Sequence, residues 1–481
     1  MTTRESLLIR EAELLAQLQA LGSSLADVRV HIAEMEGINR NAITYNLPVE
    51  TLSTIFEIGL SDSPFLATKS KRHFYMEDRW SPLPTPFEIV VSSVSRRWRN
   101  VALQTPRLWT RIYINVAQSA HELLDLYLCR SKICLLDITL SRRKLRWERN
   151  CDPFVNDAKV LIECKRYLEQ LVPYVRRWRE LSIRRDDCGL QLSDALAGLA
   201  NMNAPALETL MLEGYSGSFT KVFSGGAARL SSVELIGVLF SPPPEAVKHL
   251  KLYPSGSFQL SHAQFRRLIQ PMHSLVNLHL QSGVVVESPT GHPLIDLPSV
   301  ISLEIDLLRS HGKCVLPVLD LPSVETLTIH AGVDNAIESF TYIPRLYLNL
   351  RFLKIIRLSE YSEGAKSPVD TAQEFISLFP SVRDVTFHGA DPTPIFLALD
   401  ANRQSTDELL WPQLSSVTVI PAIRARVTCK KQIWANIVKL VGERAQLGHP
   451  ISSVKLSLEV VVRGTQRQQQ RMREQVTLIE C

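Results

Sequence analysis

A short pattern of apolar residues recurs along most of the chain, and it constrains the fold more than any other feature of the sequence. Each copy has the form apolar-x-x-apolar-x-apolar, whose last three positions alternate in the way that is typical of a half-buried strand. Successive copies begin 17 to 43 residues apart, and the central ones begin 28, 25, 24 and 26 residues apart. The pattern therefore predicts one short strand and one return segment, repeated along the chain. The copies begin at Leu135, Trp178, Leu207, Leu230, Val247, Leu275, Val300, Val324, Leu350, Val382, Leu414 and Ile451.

The central spacing resembles that of leucine-rich repeats, in which each turn contains one short strand and a return segment. A proline precedes several copies, as in residues 297–305 and 321–329, where it would end the return segment and begin the strand. Residues 261–272 and 371–380 have the one-sided apolar pattern of return helices. The Asn or Cys that usually follows the third apolar position is absent, so we expect an irregular array. The alternative is an ordinary α/β or β-rich domain with period-two strands.

A curved solenoid of this kind has its parallel sheet on the concave face. The residue between the last two apolar positions of each copy would point from that face. These residues are mixed in charge, which suits a protein surface better than a phosphate backbone, because the latter demands many Lys and Arg residues. Each of them could equally be an idle solvent-facing position. The target-binding candidates are Lys251, His279, Glu304, Thr328 and Lys354, and Met211, Thr386, Thr418 and Lys455 occupy the same position in other copies.

Residues 4–36 carry apolar side chains at alternating intervals of three and four, as in a coiled-coil seam of about four heptads. Gly22 lies in the middle of this segment and weakens a helix by about 1 kcal/mol. Two interpretations stay open. One is a parallel two-stranded coiled coil, and the other is a helix, or a hairpin bent near Gly22, that packs on the chain's own next module. The seam consists of Leu7, Leu14, Leu18, Leu21, Leu25, Val28, Ile32 and Met35.

Three separate motifs follow in order. The first predicts a helix that begins near Pro48, because proline is favoured in the first turn of a helix. Residues 61–86 have no sustained periodicity and are typical of a loop, whereas residues 87–102 predict a single helix of about four turns. The motif residues are Leu47, Pro48, Glu50, Leu52, Ile55 and Phe56 in the first, Val94, Ser95, Arg96, Trp98 and Arg99 in the second, and Pro106, Leu108 and Trp109 in the third.

These motifs resemble those of the F-box family, of the type common in mushroom-forming fungi. Ser95 stands where the family has Cys, and the insertion at 61–86 lengthens the connection between the first two motifs. The resemblance implies a small helical bundle that binds a Skp-type adaptor and, through it, a cullin–RING ubiquitin ligase. The adaptor-binding residues would then be Leu47, Pro48, Leu52, Ile55 and Phe56. The alternative is that they form the core of a helical N-terminal domain.

Together these patterns predict an α/β protein, with an N-terminal helix and a small all-α F-box bundle followed by a curved leucine-rich-repeat-like solenoid with a parallel sheet. We expect four segments. They are a helix or coiled coil at 1–45, an F-box domain at 46–112 with an inserted loop at 61–86, an irregular solenoid at 113–460, and a Gln- and Arg-rich solvated tail at 461–481.

Composition and motifs exclude several classes of protein. Apolar residues make up 45% and charged residues 21% of the chain, which is ordinary for a globular protein. No apolar run approaches the ~18 residues of a membrane span, and eight scattered Cys without a CxxC pair indicate reduced thiols in the cytoplasm or nucleus. No phosphate loop, nucleophile elbow or zinc-protease helix is present. We therefore expect no enzyme, no cofactor or metal, and no membrane partner.

Residues 91–190 hold 20 Lys and Arg against 11 Asp and Glu, so the basic excess is local. Aromatic and Gly-rich RNA-binding signatures are absent, which favours solvated helix faces over a nucleic-acid partner. The favoured hypothesis is a substrate-recognition adaptor of a Skp–cullin–F-box ligase that binds an unknown target protein through the repeats. The alternatives are a scaffold or interaction protein that dimerises through residues 4–36, and an enzyme with an unrecognised site in the repeat region.

Overall fold

The computed structural model describes most of the chain, with internal gaps. The described residues are 2–41, 47–61, 85–116, 120–142, 157–185, 192–214, 220–254, 259–281, 283–285, 293–307, 316–331, 347–356, 369–405, 409–422 and 427–480. Most of the expected loop at 61–86 therefore lies outside the described residues.

The chain divides into two compact units. The first comprises Met1–Ile112 and Ala120–Leu136, and the second comprises Tyr113–Ser119 and Asp137–Cys481. The segment 120–136, expected at the start of the repeat region, thus belongs to the N-terminal unit.

The first unit is helical. Its helices are α1 (Thr2–Asn41), α2 (Val49–Ser61), α3 (Phe87–Val94), α4 (Arg96–Gln104) and α5 (His121–Arg130), with a 3-10 turn at Pro106–Trp109.

Helix α1 is continuous through Gly22, so the hairpin interpretation is wrong. A Cβ added at Gly22 would meet no atom within 4 Å, and the glycine costs the helix only about 1 kcal/mol. All described side chains from Leu8 to Met35 are exposed, so within the described part of the chain no element packs against this stretch of the helix.

The single helix expected over residues 87–102 is instead two helices, because Ser95 interrupts it. Ser95 has extended backbone angles (φ −157°, ψ 166°), and its Oγ accepts a hydrogen bond from the Trp98 backbone N–H at 3.2 Å. A serine in this geometry caps the following helix. Periodicity alone missed the break, since the apolar spacing continues across the cap.

The core of the first unit is built around Trp109, whose side chain is 0% exposed. Its Nε1 donates to the Ala102 carbonyl at 2.9 Å, and its ring meets that of Tyr127 edge-on at 5.2 Å. The Arg130 guanidinium lies over the Trp109 ring, 4.3 Å from its centroid. The third motif therefore anchors α4 and α5 in one core.

A large sheet organises the second unit. Among the described residues, fourteen strands form it in the order β1-β2-β3-β4-β6-β8-β9-β11-β13-β14-β15-β16-β17-β18, so neighbours in the sheet follow chain order. Every pairing from β3 onward is parallel. The strands are β1 (Arg111–Asn115), β2 (Leu136–Arg142), β3 (Trp178–Arg185), β4 (Thr209–Glu213), β6 (Ser232–Ile236), β8 (His249–Tyr253), β9 (Asn277–Gln281), β11 (Ser302–Asp306), β13 (Thr326–His330), β14 (Phe352–Ile356), β15 (Asp384–His388), β16 (Ser416–Ile420), β17 (Ser453–Leu456) and β18 (Thr477–Glu480).

Two small parallel sheets lie in the return segments. One pairs β5 (Thr220–Lys221) with β7 (Phe240–Ser241), and the other pairs β10 (Ile295–Asp296) with β12 (Leu319–Asp320).

All twelve copies of the apolar pattern coincide with strands of the large sheet. Their second positions pair with one another in register, for example Leu278 with Leu303 and Leu303 with Leu327. In most strands the second and fourth residues are buried and the first, third and fifth are at least partly exposed. The sheet is therefore apolar on its core side and polar on its other side, which we call the open face.

The helices of the second unit lie in the connections between strands. The return helices predicted at 261–272 and 371–380 are confirmed, the first of them with a capping box between Ser261 and Gln264. The helices are α6 (Asp157–Leu171), α7 (Leu192–Leu196), α8 (His262–Ile269), α9 (Val369–Ser377), α10 (Thr393–Ser405), α11 (Val427–Gln446), α12 (Leu458–Val461) and α13 (Gln466–Gln475), with 3-10 turns at Val172–Arg177, Ala197–Leu199 and Leu316–Val318.

The solvated tail expected at 461–481 is wrong for residues 461–480. Helix α13 begins with a capping box formed by Thr465 and Gln468, and β18 extends the sheet by pairing with β17. Met472 and Val476, four residues apart, are buried on one side of this segment. The Gln- and Arg-rich composition of this segment gave no indication that these two apolar side chains would be buried.

Within the described part of the chain, no helix combines the length and the apolar character that a membrane crossing requires.

Candidate functional site

The entry to helix α2 is fixed by the first motif. The Leu52 N–H donates to the Pro48 carbonyl at 3.1 Å, which begins the helical hydrogen bonding, and Glu50 in the first turn complements the helix dipole. The guanidinium of Arg97, which lies between Arg96 and Trp98 of the second motif, donates to the carbonyl of Leu47. The second motif therefore holds the Leu47-Pro48 segment in place.

Helix α2 has two apolar faces, and the sequence did not distinguish them. Leu52 (0% exposed) and Phe56 (1% exposed) lie in the core, where the Phe56 ring packs 5.0 Å from the Trp98 ring. The prediction that these two contact a partner is wrong, because a partner could not reach them in the folded unit. Pro48 and Ile55 (44% exposed) lie at the surface, and Leu47 is partly buried.

The exposed face of α2 is longer than the first motif suggested, since Ile58 is 58% exposed and lies one turn after Ile55. Helix α3 adds Val90 and Val94, which are also exposed and lie one turn apart. We call Pro48, Ile55, Ile58, Val90 and Val94 the apolar stripes. Periodicity placed these valines and isoleucines on an apolar helix side, but it could not show that this side lacks a partner in the described chain.

Helices α2 and α3 approach each other closely at Gly59. A Cβ at this position would lie 2.5 Å from Cζ of Phe87, which is far inside normal contact distance. The two stripes thus belong to helices in direct contact, and the contact depends on glycine.

A buried polar pair joins α3 to α5. The Tyr127 hydroxyl donates to the Glu88 carboxylate. Burial raises the pKa of Glu88, although the hydrogen bond from Tyr127 and the charge of Arg111 oppose the increase. Burial and the neighbouring Glu88 carboxylate raise the pKa of Tyr127. This pair fixes the orientation of α3 against α5.

A second candidate site lies on the open face of the sheet. The five target-binding candidates occupy the central position of neighbouring strands and pair in register. The structure therefore brings them into a single row, which we call the central row. The same row continues through Thr386, Thr418 and Lys455, which were also expected there. Across the sheet, its order is Lys251, His279, Glu304, Thr328, Lys354.

The members of the central row differ in accessibility. Lys251 and Lys354 are exposed, whereas His279, Glu304 and Thr328 between them are partly buried. Met211, expected at the same position of β4, is buried and accepts a hydrogen bond from Ser182 Oγ at 3.4 Å. The central position is therefore buried at β4 and at least partly exposed from β6 onward.

Glu304 is the centre of a hydrogen-bonded cluster on this face. His330 Nε2 lies 2.5 Å from Glu304 Oε1, and His279 Nδ1 lies 3.3 Å from Glu304 Oε2. The Tyr253 hydroxyl lies 3.1 Å from His279 Nδ1, and the two histidine rings stack in parallel with centroids 6.0 Å apart. We call Tyr253, His279, Glu304 and His330 the histidine cluster.

The electrostatics of the cluster favour the ionised carboxylate. Burial tends to raise the pKa of Glu304, but the hydrogen bond from His330 and the charges of His279, His330 and Lys251 outweigh it. The pKa of Glu304 consequently lies below its ordinary value, and the carboxylate accepts hydrogen bonds at neutral pH.

Sequence reasoning missed Tyr253 and His330. Both lie at the last strand position, two residues after a central-row position, so their side chains share the open face with the central row. The period-two rule that selected the central row could have found them. It could not have shown that four strands bring Tyr253, His279, Glu304 and His330 together in one hydrogen-bonded cluster.

Two further observations concern metal ligands and thiols among the described residues. None of their His, Cys, Asp and Glu side chains form a group of three able to hold a metal ion. Cys164 lines a small cavity with Leu140 and Ile183. Burial raises the pKa of its thiol to about 12, so it is protonated at neutral pH and a poor nucleophile.

Comparison with known proteins adds no assignment, because no protein-family model matches the chain and no curated protein matches it.

Proposed function

We propose that this chain is the substrate-recognition subunit of a Skp–cullin–F-box ubiquitin ligase. The observation that carries the proposal is the pair of exposed apolar stripes on α2 and α3, which coincide with the helices of the F-box-like motifs. Exposed apolar side chains grouped on neighbouring helices are typical of a docking surface. Pro48 and Ile55 of the first motif would contact a Skp-type adaptor, together with Ile58, Val90 and Val94. Leu52 and Phe56 would support that surface from the core.

We also propose that the second unit is a leucine-rich-repeat-like solenoid whose open face binds the target. The sequential order of its parallel strands and the single strand per repeat support this interpretation. Lys251 and Lys354 are four strands apart, a distance of about 19 Å at the usual strand separation. A target segment lying across the strands would meet both lysines and the histidine cluster between them.

The mechanism requires no active site on this chain. A subunit that holds a target beside a ubiquitin-loaded partner raises the local concentration of the reacting groups. The specificity would come from the open face, where Glu304 accepts hydrogen bonds and the two lysines supply positive charge. A polar, mixed-charge surface of this type suits a protein target.

The test is a titration of the full chain with a purified Skp-type adaptor. The parent should bind, and Ile55→Glu should weaken binding by about 1–3 kcal/mol or more, since it places a charge in the centre of the apolar stripe. Leu123→Glu is the matched control, because Leu123 is an equally exposed apolar residue (44%) on α5. It should bind like the parent.

A parent chain that is folded but does not bind the adaptor would contradict the proposal. The alternative of a scaffold without a ligase role would then be the better account. Equal loss of binding in both variants would also contradict it, because the effect would not depend on the stripe.

A further inference from the structure

Helix α1 exposes a long apolar seam. It runs for 40 residues without a break, and all described side chains between Leu8 and Met35 are exposed. The exposed seam residues recur at intervals of three and four, at Leu14, Leu18, Leu21, Leu25, Val28, Ile32 and Met35.

Such a seam is unstable in water when left uncovered. From Leu14 to Met35 it is about 32 Å long at the usual helical rise. An isolated helix gains most of its stability in proteins by packing an apolar side, and no described element covers this one. A partner helix of similar length would complete it.

The spacing of the seam favours a partner with the same spacing. Apolar residues every 3.5 positions keep a seam in contact with a second helix of the same repeat, as in a coiled coil. Two copies would bury on the order of 1,200 Å² of apolar surface if Leu8 and Leu15 beside the seam are included, which reaches the lower limit of stable interfaces.

The charges beside the seam give no reason to expect a different protein as the partner of α1. Arg10 is paired with Glu13 on the same helix at 3.1 Å, and His31 lies 3.7 Å from Glu34. Acidic and basic residues both occur along α1, so they do not form a one-signed strip that would attract an oppositely charged partner.

We propose that α1 joins two copies of this chain as a two-stranded coiled coil. The assembly carries two open faces and two sets of apolar stripes, so a target with two binding segments is held by both copies at once. The dimer forms through α1 alone and is independent of adaptor binding, which involves α2 and α3.

The experiment is sedimentation equilibrium of the full chain over a range of concentrations. The parent should approach twice its mass of 54.3 kDa as concentration rises. Leu21→Glu should weaken dimerisation at least a hundredfold, because each dimer loses two buried leucines and gains two facing charges. Gln19→Glu is the matched control on the outer side of α1, and it should dimerise like the parent.

A gain-of-function variant sharpens the test. Glu11 occupies the next seam position before Leu14, where the two copies would bring like charges together. Glu11→Leu should therefore tighten the dimer. Far-UV circular dichroism and adaptor titration of each variant check that the remaining fold is intact.

Three outcomes would overturn the proposal. They are a parent that stays at 54.3 kDa at all concentrations, a dimer that survives Leu21→Glu, and a parent mass of three or more copies. The first would mean that a different protein covers the seam, and the second that another surface joins the copies.

Discussion

Two glycine-to-alanine substitutions in the C-terminal part of the chain should have opposite effects on stability. A Cβ at Gly464 would lie 2.3 Å from Cε2 and 2.4 Å from Cζ2 of Trp434, whereas a Cβ at Gly442 would meet nothing within 4 Å. Trp434 is 3% exposed and lies on α11, the same helix as Gly442.

The magnitude follows from these distances. Carbon atoms pack best about 3.5–4.0 Å apart, so Gly464→Ala forces the indole ring or the backbone to move by about 1 Å within a packed core. Overpacking of this kind costs about 1–3 kcal/mol. Gly442→Ala removes a glycine from a helix interior and should stabilise by about 0.4–1 kcal/mol, mainly by restricting the unfolded chain.

Hydrogen–deuterium exchange is the suitable assay, because a chain with two compact units need not unfold in one step. Gly464→Ala should accelerate amide exchange across residues 453–480, whereas Gly442→Ala should slow amide exchange across the same residues. Unchanged exchange in a folded Gly464→Ala protein would refute the reasoning. It would mean that Gly464 does not pack on Trp434 and that residues 461–480 are the solvated tail which their composition suggested.

Three further substitutions test other parts of the structure. Ser95→Ala should lower the free energy of unfolding of the first unit by about 0.5–2 kcal/mol through loss of the α4 cap. Urea titration measures this loss, and Ser93→Ala, on the exposed side of α3, should have little effect in the same titration. Glu304→Gln should change the acid stability. The pKa of Glu304 is lowered in the folded state, so its stabilising contribution is complete above the unfolded value of about 4.5 and is lost as pH falls through the folded value. The parent should therefore exceed the variant in thermal stability at pH 7 and lose that advantage in acid, whereas an advantage that persists in acid would contradict the assignment. Trp109→Ala should cost about 3–5 kcal/mol, because this side chain is fully buried, and a near-native melting temperature would contradict its central position in the core.

Most of the sheet could be predicted from the sequence. A strand alternates with period two, so an apolar-x-apolar pair such as Leu303 and Ile305 defines both a strand and its buried side. The same alternation placed Glu304 on the open face. The seam of α1 could likewise be predicted, since its heptad spacing is a property of one helix.

Much of the candidate docking surface could not be predicted in this way. Leu52 and Ile55 are both apolar and belong to the same motif, yet one is in the core and the other at the surface. The distinction depends on α3 and α4, which pack on one side of α2 only. The α4 cap at Ser95 was also hidden, because the apolar spacing continues across it.

The amino-acid pattern alone was enough to predict twelve strands of the large sheet, the apolar sides of several helices, and the residues that share a face of the sheet. These properties follow from the periodicity of one segment at a time. The folded structure was needed to show that β18 extends the sheet, that no described element covers α1, and that Glu304 contacts His279 and His330. Each of these depends on distances between residues that are far apart in the chain, and a local pattern contains no information about such distances.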